Sequence, residues 1–134
     1  MTTDPVLALR PIGVIRSPLQ SLDAAPCQGD EGAPDAWLEI APAYAAALSG
    51  LAVGDAVVLV TWLHLAKREV LEVHPRGDRR NPLTGVFATR SPHRPNPLGL
   101  HRVIVREIAG VRLRVGPIEA LDGTPVVVIK IAID

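Results

Sequence analysis

Residues 90–97 read Arg-Ser-Pro-His-Arg-Pro-Asn-Pro, which sets two guanidinium groups, an imidazole and a carboxamide among three prolines. Arg90 and Arg94 offer planar donor forks that match a carboxylate or a phosphate. Asn96 both donates and accepts, which suits an amide or a nucleobase edge. Imidazoles exchange protons near neutral pH, so His93 and the more distant His64 are candidate proton acceptors. Pro92, Pro95 and Pro97 fix their own φ and bias Ser91, Arg94 and Asn96 towards extended backbone. A stiff segment lowers the entropy cost of ordering its side chains around a ligand. On residue types alone three readings stay open: a rigid display for a ligand, a structural corner with incidental arginines, and a Pro-x-x-Pro ligand for an aromatic groove.

Other chemistries find less support. His64, His74, His93 and His101 are spaced 10, 19 and 8 residues apart, which matches no standard metal-ligand pattern, and Cys27 is the single cysteine. No metal site is expected. There is no Gly-x-x-x-x-Gly-Lys phosphate loop and no Gly-x-Gly-x-x-Gly. Ser91 and His93 lie close in sequence, but nothing marks an acid partner or an oxyanion hole for a nucleophilic hydrolase.

The charge surrounding the segment is one-sided. The whole chain has a formal net charge of zero, yet 11 of its 14 Lys and Arg residues lie within 67–114 against Glu69, Glu72, Asp78 and Glu107. That stretch carries +7, and a local field of this sign attracts phosphates and carboxylates. Arg112 and Arg114 alternate with Val111, Leu113 and Val115 and read as the solvated face of a strand.

The elements that must position these residues are short and mostly extended. Alternation and β-branched runs predict strands at 12–16, 37–40, 55–63, 69–73, 85–89, 100–108, 111–116 and 126–133. Ala109-Gly110 and Asp122-Gly123 read as tight turns. One helix is expected at 42–48, with Pro42 in its first turn and Gly50 past its end. Two long loops, 17–35 and 74–83, are rich in Gly, Pro and charge. The predicted architecture is mainly β: a single domain over 1–134, folded as a small antiparallel β-barrel with one short helix. With 134 residues and 48% hydrophobic content the chain can bury a core, which 3% aromatic content makes aliphatic. No secretory signal and no apolar run near the roughly 20 residues of a membrane helix are visible, and a lone cysteine fits a reducing compartment. A cytoplasmic protein is therefore expected.

Residues 87–100, Phe-Ala-Thr-Arg-Ser-Pro-His-Arg-Pro-Asn-Pro-Leu-Gly-Leu, closely resemble the signature of the TsaA-like family, whose characterised members are TrmO-type tRNA methyltransferases. Pro11 to Leu19 resembles the family's first strand and turn, Pro42 to Leu51 its helix, and Leu121-Asp122-Gly123-Thr124-Pro125-Val126 its C-terminal turn and strand. The resemblance implies a β-barrel enzyme that uses S-adenosyl-L-methionine as a homodimer. It also implies methylation of the exocyclic amine of a threonylcarbamoyl-modified adenosine beside the tRNA anticodon, with tRNA held by the basic segment 67–114. Cofactor contacts would fall on Pro26, Cys27, Gln28, Leu63, His64, Arg90, Leu100, Gly116, Pro117, Ile118 and Glu119. Among these, Arg90 would suit the aminoacyl carboxylate, backbone groups at Leu100 and Ile118 the adenine, and Glu119 the ribose. Candidates for a catalytic role are His64, His93, Arg94 and Asn96. The chain resembles a short form without the C-terminal domain of the larger members. Cys27 stands where the family carries arginine, and Val128-Ile129-Lys130-Ile131-Ala132 replaces Asp-Ile-Lys-Pro-Tyr. A relative acting on a small molecule or another non-tRNA acceptor, or a binding module without catalysis, are the alternatives.

Overall fold

In the run Ala-Val-Val-Leu-Val-Thr-Trp, residues 56–62, every second side chain points the same way, so Val57, Leu59 and Thr61 share one buried face. The computed structural model describes residues 4–20 and 32–133 and shows that this pattern recurs around a closed barrel. Its strands are β1 (Gly13–Arg16), β2 (Ala36–Ile40), β3 (Ala56–Trp62), β6 (Leu98–Ala109), β7 (Arg112–Gly116) and β8 (Pro125–Ile131). A separate two-stranded ribbon joins β4 (Glu72–Val73) to β5 (Thr84–Gly85). The barrel order is β1-β2-β7-β6-β3-β8, all pairs antiparallel, closed where Gly13 and Val14 of β1 face Val126 and Pro125 of β8.

Closure of so small a sheet needs local bends. The β3–β8 register shifts between Val60 and Thr61, and the β6–β7 register shifts between Val105 and Glu107. Such irregularities sharpen strand twist and turn corners. Inside, Ile15, Leu38, Leu59, Val103, Val105, Leu113, Val115 and Val126 are almost completely buried. Each contributes about 1.5–3 kcal/mol of burial free energy before conformational entropy is counted. This is the aliphatic core that the composition predicts.

The expected barrel is present, with differences confined to its connections. The predicted strand 85–89 is not one: only Thr84–Gly85 pairs, and Val86–Ala88 forms a 3-10 turn. Local acceptors explain it, because the Thr89 amide and hydroxyl both donate to the Val86 carbonyl, at 3.1 and 3.0 Å. The predicted strand 69–73 shrinks to Glu72–Val73. The expected single helix is present at Pro42–Leu48, wound as a 3-10 helix, and two three-residue 3-10 turns, Pro75–Gly77 and Val86–Ala88, lie in the connections. The tight turn expected at Ala109-Gly110 falls one residue later, at Gly110-Val111, and Asp122-Gly123 turns as expected. None of the described helices is long and apolar enough to cross a membrane.

Candidate functional site

β3 and β6 pair directly, with Trp62 opposite Leu98, yet residues 63–97 separate them in sequence. This excursion folds back over one end of the barrel and encloses a cleft of 1160 Å³. Its walls come from the β3 exit (Leu63, His64), the ribbon region (His74, Arg76, Arg79), the proline-rich segment (Arg90 to Arg94), the start of β6, and Pro117 with residues 119–121. The volume suits a nucleoside-sized ligand with room for a second group.

Within the proline-rich segment, most polar side chains face the protein's own backbone. Arg94 donates from Nε to the Ser91 carbonyl at 3.0 Å and from Nη2 to the carbonyls of Val86 and Thr89, at 3.0 and 2.7 Å. It therefore clamps the turn that replaces the predicted strand. His93 accepts the Lys67 amide at Nδ1, 2.9 Å away, so in the neutral ring its proton sits on Nε2. Neither nitrogen then has a lone pair for an external proton while that bond holds. Asn96 accepts from Arg68 at 3.2 Å, and Arg68 also donates to the Pro95 carbonyl and lies 5.2 Å from the Trp62 ring centroid. Asn96 does not line the cleft. Arg90 is different: it is exposed on the cleft wall, and among the described residues no carboxylate or carbonyl takes its guanidinium.

The barrel mouth supplies the other half of the cleft. His101, on the inward face of β6, has a side chain only 3% exposed. Its Nε2 lies 2.7 Å from Thr61 Oγ1 and its Nδ1 2.7 Å from Glu119 Oε1. Glu119 is 21% exposed and lines the cleft. Gly99 faces Thr61 across the sheet, and a Cβ there would fall 2.6 Å from Thr61 Oγ1 and 2.7 Å from His101 Nε2. On the ribbon side, His74 Nδ1 lies 2.9 Å from the Asn81 carbonyl. That carbonyl can only accept, so Nδ1 carries the proton and the neutral ring keeps a lone pair at Nε2. Arg76 sits at φ 59°, in the left-handed region where a side chain is uncommon. Nearby, the Arg80 side chain and then its amide hold the Asp78 carboxyl below its ordinary value, and the side-chain bond to Asp78 raises the guanidinium above its own.

Of the residues expected to hold a cofactor, Leu63, His64, Arg90, Leu100, Pro117 and Glu119 line the cleft. Gly116 and Ile118 do not: Gly116 packs against the Asp35 carboxylate, and Ile118 is fully buried with its amide bonded to the Pro34 carbonyl. Pro26, Cys27 and Gln28 lie outside the described residues. Of the four catalytic candidates, His64, His93 and Arg94 reach the cleft. Thr61, His74 and His101 were not among the candidates. Their only sequence signal is a polar residue at the end of an inward-facing alternation (Thr61, His101) or a histidine beside a Pro-Arg-Gly turn (His74).

A family model of the tRNA-methyltransferase O N-terminal domain matches residues 14–133. The chain belongs to that family. The resemblance carried by residues 87–100 is thus borne out. A probable S-adenosyl-L-methionine-binding protein of Methanothermobacter thermautotrophicus is 44% identical over 128 residues, covering 96% of this chain and 91% of the relative. Another of that description, from Methanocaldococcus jannaschii, is 44% identical over 98 residues, covering 70% of this chain and 78% of its own. The crystal structure of TrmO from Pseudomonas aeruginosa superposes with a TM-score of 0.76 at 34% identity, covering 96% of this chain. The family barrel is therefore shared, while this chain spans only 57% of that TrmO's length.

Proposed function

We propose that the protein is an S-adenosyl-L-methionine-dependent methyltransferase whose ligand occupies the cleft at the barrel mouth, and that its acceptor is an exocyclic amine in tRNA. The observation that carries this reading is the cleft itself: in a chain of this family, the signature segment, Arg90, His64 and Glu119 converge on one open volume. Its donor set fits the ligand. An exposed guanidinium at Arg90 suits a carboxylate. Glu119 gives one oxygen to His101, and among the described residues nothing pairs with the other, which can accept from a sugar hydroxyl.

When bound, the cofactor supplies a methyl group already activated on a sulfonium. The chain's own contribution is then alignment and shielding from water, worth on the order of several kcal/mol of barrier when two reactants are held in register. Arg94 keeps the proline-rich wall in one conformation through its three carbonyl contacts. His74 Nε2 keeps an open lone pair in the cleft, and among the described residues no hydrogen bond engages the His64 ring on the same wall.

The acceptor reading draws support from the basic rim, where Arg79 and Arg90 line the cleft. A second copy of the chain is proposed to cover exposed apolar side chains such as Phe87, which is 85% exposed. Calorimetric titration with S-adenosyl-L-methionine tests the ligand: binding that weakens about 10-fold in Arg90→Ala supports it, and no binding refutes it. Mass spectrometry of tRNA nucleosides after incubation with protein and methyl donor tests the acceptor. Labelled methyl retained in tRNA supports the reading, and transfer only to another acceptor overturns it. Affinity for tRNA should fall steeply with salt as phosphate contacts release counterions.

A further inference from the structure

The inward rows of β3 and β6 are aliphatic until they reach the cleft. Val57 and Leu59 give way to Thr61, and Val103 and Val105 give way to His101. An apolar pair would close a barrel at less cost, since a buried imidazole beside a carboxylate must be fully hydrogen-bonded to be tolerated. Here both ring nitrogens are engaged. An ionised carboxylate can only accept, so His101 Nδ1 carries the proton and donates it to Glu119 Oε1. The neutral ring's Nε2 then accepts from the Thr61 hydroxyl. The chain Thr61 to His101 to Glu119 thus has one direction, and it ends on a carboxylate at the cleft wall.

We propose that Thr61 and His101 are positioning residues that hold the Glu119 carboxylate as an oriented acceptor for vicinal hydroxyls of a bound ligand. In that arrangement Gly99 is kept without a side chain so that the Thr61–His101 bond can form. The gap at Gly99 is an independent observation, because an added Cβ would sit within 3.0 Å of Thr61 Oγ1, His101 Nε2 and Leu63 Cδ2. Three residues on two strands are therefore matched to one hydrogen-bond path. A fixed carboxylate accepts from a sugar diol without first losing its own rotamer freedom, which is the gain that preorganisation provides. The inference rests on the cofactor reading only for the identity of the ligand.

The test is calorimetric binding of S-adenosyl-L-homocysteine and of its 2′-deoxy and 3′-deoxy analogues to the full chain. Wild-type protein should prefer the intact ribose. His101→Phe fills the ring's space but removes the donor, and should weaken ribose-ligand binding about 10- to 100-fold while hardly changing the deoxy ligands. Thr61→Val, shape-conserving and at less risk of misfolding, should erode the same preference by a smaller factor. His101→Asn keeps a donor near the Nδ1 position and should recover part of it. Equal weakening of all three ligands in folded variants would reduce the pair to a structural plug and overturn the proposal. Wild-type binding with no preference for the hydroxyls would overturn it while leaving the cofactor reading intact. Failure of wild-type protein to bind any of the three would refute the cofactor reading and this inference together.

Discussion

At one end of the barrel Ile40, Tyr44, Leu48, Val57, Ile129 and Ile131 meet in an apolar pocket of 370 Å³. At the other, His101 and Glu119, with Thr61 buried behind them, face a cleft three times that volume whose lining also carries His64, His74, Arg79 and Arg90. Both ends are made by the same strands, so sheet geometry does not distinguish them. Two local choices do. The apolar end is closed by a short connection, the 3-10 helix Pro42–Leu48 between β2 and β3, whereas the cleft end is closed by the excursion 63–97 between paired strands. The inward rows also stay aliphatic towards the first end and turn polar at the second. Val128 to Ala132, where the sequence departs from the TsaA-like pattern, runs along β8 away from the cleft, and Ile129 and Ile131 line the apolar pocket. Within one chain, that departure belongs to the wall of the barrel and not to the cleft.

The contrast can be broken by substitution. The largest effect is expected from Gly99→Ala, whose Cβ has no room at the mouth: about 1–3 kcal/mol lost in chemical denaturation, with ligand affinity lost as well. Preserved stability would show that the mouth repacks freely. Arg94→Ala should cost about 1–2 kcal/mol by freeing three carbonyls of the proline-rich wall. Faster amide exchange should appear in residues 86–96 alone, and an exchange pattern spread over the whole barrel would contradict the clamp. Leu48→Ala at the apolar end should cost about 1 kcal/mol, as a half-buried side chain, and leave ligand affinity unchanged. A matching loss of affinity would mean that the two ends are coupled. Arg90→Ala should keep stability within about 0.5 kcal/mol while binding weakens, the reverse of Leu48→Ala.

The smallest effect concerns pH. Asp78 is held below its ordinary carboxyl value, first by its side-chain contact with Arg80 and then by the Arg80 amide. A depressed carboxyl stabilises the fold above its unfolded value, and this contribution disappears as pH falls through the lower, folded value. Since both partners are solvent-exposed, the loss should be confined to residues 74–83 in an acid titration followed by NMR. Barrel amides that shift in the same window would disprove this confinement.

Much of this organisation is legible in the sequence because the barrel rests on local alternation. Residues 111–116 and 55–63 announce inward and outward faces directly, and the six barrel strands lie within a residue or two of expectation. The proline-rich segment is legible as a rigid element, but not in its use of arginine. Nothing in the order of residues 86–94 says that Arg94 turns back onto three carbonyls while the Arg90 guanidinium is left to the cleft. The strand expected at 85–89 fails for a related reason: Val-Phe-Ala-Thr has strand composition, but the Thr89 amide and hydroxyl and the Arg94 guanidinium all donate to the Val86 carbonyl and favour a turn. The Thr61–His101–Glu119 path is invisible in one dimension, because its members are 40 and 18 residues apart. They meet only through the β3–β6 register and the crossing of residues 117–121.

That register also bears on how the molecule comes apart. Because β3 and β6 are zipped to each other at Trp62 and Leu98, the excursion 63–97 hangs from a completed barrel as a side loop on a closed stem. Its few ribbon pairs, Glu72 with Gly85 and Val73 with Thr84, can open while every barrel ladder remains intact. Among the described residues, nicking by a protease should therefore fall first in 74–83 and yield two fragments that stay associated as a folded barrel. A bound ligand would guard that cut without raising the temperature at which the barrel itself melts nearly as much.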